Sequence, residues 1–248
     1  MADEPDESAS QGDASRAFWI DRAVATQGTA AVLPSGRWLR YHEWTNRLLR
    51  DWTLSRATAQ RARFRRFVDL GCGRGDWTVL FGSHAEEVYA CDVAPQFVAE
   101  TRARLVATHP DARVECADLR SYEMPRGIDL AYLGAVLMYL PEVAAAALLD
   151  KVRVASVAGG LVIVRDYCTF NLGRPSVTTA TGYSVHRSPK QLIALARSVG
   201  LECLESRSSP SIYAEVMANR VLAWPLRAAW RLATLHWLRA SHTFVLRA

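Results

Sequence analysis

Apolar residues recur along this chain at two spacings. Short apolar runs bounded by glycine, proline or an acid read as strands: Phe67–Leu70, Glu87–Asp92, Ala112–Cys116, Ile128–Leu133, Leu161–Arg165, Leu201–Glu205 and Thr243–Arg247. Stretches with apolar residues three and four apart read as helices. These are Trp77–Phe81, Pro95–Thr108, Pro141–Val157 and a helix started by Ser188-Pro189 and ended by Gly200. Gly159-Gly160 is read as a break before the fifth strand. Residues 16–62 read as helical, with Trp19, Trp38, Tyr41, Trp44, Leu48, Leu49 and Trp52 near helical spacing. Strands alternating with helices imply a mostly parallel sheet covered on both faces, in the three-layer α/β class.

The chemistry is concentrated in one segment. Phe67-Val-Asp-Leu runs into Gly71-Cys-Gly-Arg-Gly75, with a helix behind. Glycines at alternate positions allow a sharp turn and close approach of a ligand to the main chain, facing the next helix N-terminus. The dinucleotide fingerprint has the spacing G-x-G-x-x-G. Here the spacing is G-x-G-x-G, and Asp69 stands two residues before the first glycine. A carboxylate there repels pyrophosphate and suits a cofactor bearing a sulfonium and an amino group. Asp92, 17 residues after Gly75 at the end of the second strand, lies near the spacing at which an acid meets a ribose in a βαβ site.

These residues resemble the class I S-adenosylmethionine-dependent methyltransferases, whose first motif is (Asp/Glu)-x-Gly-x-Gly-x-Gly. The resemblance covers roughly residues 64–248. It implies a Rossmann-like seven-stranded sheet whose last strand is antiparallel and inserts beside the fifth. It also implies S-adenosylmethionine as cofactor, S-adenosylhomocysteine as product, and no metal. The cofactor would be held by Asp69, Gly71, Cys72, Gly73, Gly75, Asp92 and Val93, with Asp118 and Leu119 at the adenine and Gly134 at the turn after the fourth strand. Asp118 reads also as a helix N-cap. Tyr139 stands where many members have a histidine near the methyl group. There is neither an Asn/Asp-Pro-Pro-Tyr signature nor a Pro-Cys nucleophile, which disfavours enzymes that modify DNA bases.

The fifth strand is expected to end at Arg165-Asp166-Tyr167 and pass into an irregular loop, Cys168–His186, over the cofactor. Asp166, His186 and Tyr139 are the candidate catalytic side chains for positioning an acceptor and taking its proton. Trp38, Tyr41, Tyr167, Tyr183 and Arg187 are candidate acceptor-binding residues. Asp166 reads also as a turn residue, His186 as a surface histidine, and Tyr139 as pocket wall.

Length and charge refine this picture. A chain of 248 residues fits one α/β domain with additions. No apolar run is long enough to span a membrane, the acidic start lacks the order of a signal peptide, and a cytoplasmic location is expected. The five cysteines form no C-x-x-C pair and read as buried thiols. The first fifteen residues hold five acids and no base and read as a disordered leader, followed by a helical cap over 16–62 and the main domain over 63–248. Removing the leader's −5 from the net +5 leaves +10, nearly all arginine; base composition alone can give that, so it argues only weakly for nucleic acid. A helical insertion over about 211–240 carries Trp224, Trp230, Trp237 and four arginines. Such a helix suits an anionic membrane surface, a lid over an apolar pocket, a dimer face or the core, and the pattern does not choose. The expected activity is methyl transfer to an oxygen or nitrogen of a small or amphiphilic metabolite. The rival readings are a protein or RNA methyltransferase and a non-catalytic cofactor-binding subunit.

Overall fold

The computed structural model describes residues 7–25, 39–168, 176–178, 184–208 and 240–248. Two helices, α1 (Glu7–Ala25) and α2 (Leu39–Gln60), precede the sheet. Then follow β1 (Phe64–Leu70), α3 (Asp76–Gly82), β2 (Ala85–Asp92), α4 (Pro95–Leu105), β3 (Arg113–Cys116) and β4 (Ile128–Gly134). A 3-10 turn, Leu137–Tyr139, leads to α5 (Glu142–Ala155), β5 (Ser156–Cys168), β6 (Ser176–Thr178), β7 (Ser184–His186), α6 (Pro189–Ser198), β8 (Glu202–Ser208) and β9 (Ala240–Arg247). The main sheet has the order β3-β2-β1-β4-β5-β9-β8, and β9 runs antiparallel between β5 and β8. All seven expected strands are present in this sheet, with the expected polarity.

Period-two alternation divides the core. Val68 and Leu70 of β1, Ala131 and Leu133 of β4, and Val162 and Val164 of β5 face one layer, where they meet Leu149 and Val152 of α5 and Leu192 of α6. Phe67, Leu130, Tyr132 and Ile163 face the other, against Phe81 of α3, Val98 and Leu105 of α4, and Trp52 of α2. Strand order reverses at β1, with β2 on one side and β4 on the other. Ligands in such sheets bind outside the strand carboxyl ends at this switch point.

Three boundaries differ from expectation. Helix α1 starts at Glu7, inside the segment expected to be disordered. An acidic helix start suits the macrodipole, and Asp13 on this helix pairs with Arg120 at 3.0 Å. Gly159-Gly160 do not break the chain before the fifth strand: β5 begins at Ser156 and passes through them. The register against β4 slips between Ile128 and Leu130, and a Cβ on Gly160 would lie 2.8 Å from the Ile128 carbonyl oxygen, so glycine allows the strands to stay paired. The segment after the fifth strand is not wholly irregular, since β6 and β7 pair antiparallel. Residues 211–239 of the expected insertion, Trp38 and Tyr183 lie outside the described residues, as does the side chain of Tyr41; Ala240 already belongs to β9. Among the described residues no helix is long and apolar enough to cross a membrane.

Asp129 fastens the start of β1 to β4. Its Oδ2 accepts the Arg65 and Arg66 backbone N–H groups at 3.1 and 2.9 Å, and its Oδ1 accepts the Arg61 guanidinium. Asp129→Ala leaves these donors unpaired at a site where Asp129 is only 7% exposed. The expected loss is about 2–4 kcal/mol in urea unfolding; an unchanged midpoint with unchanged slope would show that water replaces the carboxylate without cost.

Candidate functional site

The glycine loop is built by backbone bonds to the neighbouring strand. Gly71 and Cys72 donate their N–H groups to the Cys91 carbonyl at 2.9 and 3.0 Å, and Gly75 donates to the Cys72 carbonyl at 2.9 Å. Gly71 and Gly75 both have φ +78°, and Gly75 caps α3 from that left-handed conformation. A Cβ on Gly71 would lie 2.7 Å from Val136 Cγ2, and one on Gly75 2.8 Å from Thr101 Oγ1. Glycine is required at both on two counts, conformation and space.

Asp69 and Asp92 stand on either side of this loop. Asp69 is fully buried; its Oδ2 accepts the Thr78 hydroxyl at 2.6 Å, and its Oδ1 is buried without a hydrogen-bond partner. Burial pushes its pKa up to about 7, against the Thr78 bond that lowers it. Asp92 accepts the Gly73 N–H on Oδ2 at 2.8 Å and the Ala94 N–H on Oδ1 at 2.9 Å. Burial raises its pKa too, partly countered by these backbone donors. Each oxygen keeps a second lone pair for a ligand hydroxyl. Asp118 follows β3 and accepts the Arg120 backbone N–H at 2.9 Å and its guanidinium at 2.7 Å. Burial pushes Asp118 up, and the Arg120 bonds outweigh it and hold the carboxyl below its usual range. No helix follows directly on Asp118, so the N-cap reading does not hold; Asp118 accepts from a turn and lines the cavity.

A cavity of about 510 Å³ opens over these groups, within the range of small-molecule sites. Asp69, Gly71, Cys72, Gly73, Asp92, Val93, Asp118, Leu119, Gly134, Tyr139 and Tyr167 all line it, and Gly75 shapes it from beneath the loop. The far end is aromatic and basic. Trp77 stacks on Tyr132 at 4.6 Å, the Arg165 guanidinium lies 5.5 Å from the Trp77 ring centroid, and Trp19 of α1 meets Tyr139 edge-on at 5.4 Å.

Besides Gly75, three expected site residues do not reach the lining: Asp166, His186 and Arg187. Asp166 is buried on the other face of β5, because Arg165 and Tyr167 flank it and point into the cavity. Burial raises its pKa to about 7, against the lowering charge of Arg187. Arg187 is buried and donates to the Leu137 and Leu140 carbonyls at 2.8 Å each, so it fixes the turn carrying Tyr139. His186 is half-buried in β7, with Nε2 3.3 Å from the Ser184 hydroxyl. Burial pushes the Tyr139 phenol well above its usual range. Conversely, Arg47 and Arg50 of α2, Trp77 and Arg165 line the cavity with no motif to mark them. The sole sequence signal was the i, i+3 spacing of Arg47 and Arg50, which puts both on one helix face.

Residues 67–160 match the family model described as a methyltransferase domain. That match, over 94 of the 248 residues, places a methyltransferase domain across the glycine loop and β1 to the start of β5, within the seven-stranded sheet. It is 34% identical over 77 residues to trans-aconitate 2-methyltransferase of Escherichia coli, a match covering 30% of this chain and 29% of that protein. The chain thus spans less than a third of the length of the curated relatives it matches. A 1,6-didemethyltoxoflavin-N1-methyltransferase of Burkholderia thailandensis, solved with 1,6-didemethyltoxoflavin and S-adenosylhomocysteine, superposes with TM-score 0.67 at 13% identity, over 100% of this chain and 92% of that one. The [4+2]-cyclase SpnF superposes with TM-score 0.59 at 18% identity, covering 79% and 80% of the two chains. At such identities these structures establish the fold alone.

Asp69 and Asp166 both hold protons in the folded state that an unfolded chain releases near pH 4. The stability this contributes is full below about pH 4 and is lost as pH rises through about 7. The ligand-free protein should therefore lose about 1–4 kcal/mol between about pH 5 and about pH 8 from these two groups, and Asp69→Asn should flatten the slope. Urea midpoints across that range check it; a slope unaffected by the substitution would place the titration elsewhere.

Proposed function

We propose that this chain transfers a methyl group from S-adenosylmethionine to an oxygen or nitrogen of a small-molecule acceptor. The observation carrying this reading is the unpartnered Oδ1 of buried Asp69, beside a glycine loop and a second carboxylate, Asp92, at the end of the neighbouring strand. A group that brings an ammonium to Asp69 and a ribose to Asp92 fits this donor and acceptor set. Leu119 and Val93 would flank its adenine, and Gly134 and Tyr139 its sulfur end. When bound, the cofactor would supply an electrophilic methyl group on its sulfonium, the C–S electron pair staying on sulfur and the proton of a hydroxyl or amine acceptor leaving to solvent. The names of two similar proteins, which act on trans-aconitate and 1,6-didemethyltoxoflavin, support a small acceptor over a macromolecule.

The chain's own contribution is chiefly orientation. The aromatic wall holds the acceptor and excludes water, and Tyr139 closes the space near the reacting atoms on a turn held by Arg187. Asp166 acts from behind the wall through that same turn, and among the described residues the carboxylates in the lining are Asp69, Asp76, Asp92 and Asp118. Asp166→Asn and His186→Ala should thus lower turnover by less than about tenfold; a loss of about a hundredfold in either would restore it as a general base.

Because a cyclase shares the fold, methyl transfer must be read directly. Calorimetry with S-adenosylhomocysteine tests the site first. Binding its ammonium favours ionised Asp69, so below about pH 7 binding should release a proton, tighten as pH rises, and show a buffer-dependent enthalpy that Asp69→Asn abolishes. Asp92→Ala should weaken binding by about 1–3 kcal/mol. Absence of S-adenosylhomocysteine binding would overturn the proposed function.

A further inference from the structure

The charges lining the cavity do not balance locally. Arg74 pairs with Glu100 at 2.7 Å, Arg120 with Asp118 at 2.7 Å, and Asp76 with Arg104 at 2.6 Å. Arg16 lies within the field of Asp118, and Arg165 within that of Asp166 on the opposite face of β5, neither in ion-pair contact. Three guanidiniums remain, those of Arg47, Arg50 and Arg165, and among the described residues none is in ion-pair contact with a carboxylate. Arg165 is 8% exposed, donates its Nε to the Ser241 hydroxyl at 3.1 Å and spreads over Trp77. The Arg50 Nε is buried with no hydrogen-bond partner. Retaining buried guanidinium donors without an anion is costly, most of all against an aromatic wall.

We propose that the acceptor is a small carboxylic acid, seated by its carboxylate on Arg50 and Arg165 with Arg47 alongside. This rests on the methyltransferase reading of the same cavity. The cofactor cannot supply the missing anions. It carries a sulfonium and an ammonium against a single carboxylate, so it enters as a net cation, and its one carboxylate leaves at least part of this guanidinium charge without an anion. A neutral acceptor would leave the Arg50 and Arg165 guanidiniums without an anion in the cavity, with Arg47 exposed at its edge. An acid neutralises them and is held in a fixed direction, since the planar guanidinium fork matches a planar carboxylate through two parallel bonds. The flat Trp77–Tyr132 stack beside Arg165 favours a conjugated or aromatic acid, whose body lies against the rings while its carboxylate reaches the guanidinium. The methylated atom is then set by its distance from this anchor.

The test uses protein saturated with S-adenosylhomocysteine, its binding measured beforehand. Calorimetric titrations compare 4-hydroxybenzoate, cinnamate and fumarate with their amides, and with inorganic phosphate. At least one acid should bind at least about tenfold more tightly than its amide and than phosphate, and weaken as salt is raised. Arg50→Gln should remove that preference, Arg50→Lys should retain part of it, and both should keep S-adenosylhomocysteine affinity within about threefold, which also reports that the variants fold. The proposal is overturned if no acid outbinds its amide, if phosphate binds as well as the acids, or if Arg50→Gln and Arg165→Gln lose S-adenosylhomocysteine along with the acid. That last result would assign the guanidiniums to the cofactor's own carboxylate. Failure of the wild-type protein to bind S-adenosylhomocysteine would instead remove the methyltransferase reading itself.

Discussion

A carboxylate buried at the end of the central strand governs this structure. Asp69 follows Phe67 and Val68 in a stretch with no exposed side chain, where a carboxyl group is expensive to ionise. Only Thr78, one turn into α3, reaches it. The loop must therefore reverse within a few residues to bring that hydroxyl back, and the left-handed glycines at 71 and 75 are what permit it. The same reversal leaves one carboxylate oxygen buried and without a hydrogen-bond partner at the cavity. Fold and proposed site are tied through one group, whose burial makes its charged form costly in the free protein.

This coupling explains what was legible in the sequence. Asp69, the glycines and Asp92 are separated by short fixed chain lengths, so spacing alone carries their geometry. Gly73 and Asp92 meet directly through a 2.8 Å bond. The strands were legible because a parallel sheet buried on both faces needs uninterrupted apolar runs. That same property concealed the facing of β5. From Leu161 to Asp166 every residue is buried, so no polar alternation marks which side faces the cavity. Arg165 and Asp166 are both polar and adjacent, and only the sheet's register assigns the first to the cavity and the second to the opposite layer. Gly159-Gly160 misled for a related reason, since a bulge and a chain break look alike in sequence.

Cavity residues contributed by α1 and α2 were less legible still. Trp19, Arg47 and Arg50 come from helices far in sequence from the loop they cover. Their aromatic and basic residues are spread around the helix circumference, so amphipathicity does not name an inward face. Docking does: Trp19 lodges between Phe97 and Tyr139, and Asp13 reaches Arg120 beside Asp118. The cap thus touches both ends of the cavity while the sheet supplies its floor.

That division of labour bears on how the site can specialise. The floor presents carboxylates at strand ends, fitted to a cationic group. The wall and cap present guanidiniums and rings, fitted to an anionic, flat one. Two ligands of opposite charge bound side by side attract each other in a cavity shielded from solvent, where Coulomb forces are stronger than in water. Seating a cation on Asp69 also stabilises that carboxylate's charged form, and the adjoining guanidiniums then face a net cation unless an acid follows. The electrostatics consequently favour joint occupancy over either ligand alone. The acceptor and the reactive methyl group are brought together by charge placed on different parts of the fold, with Tyr139, on its turn anchored by Arg187, standing where the two halves meet.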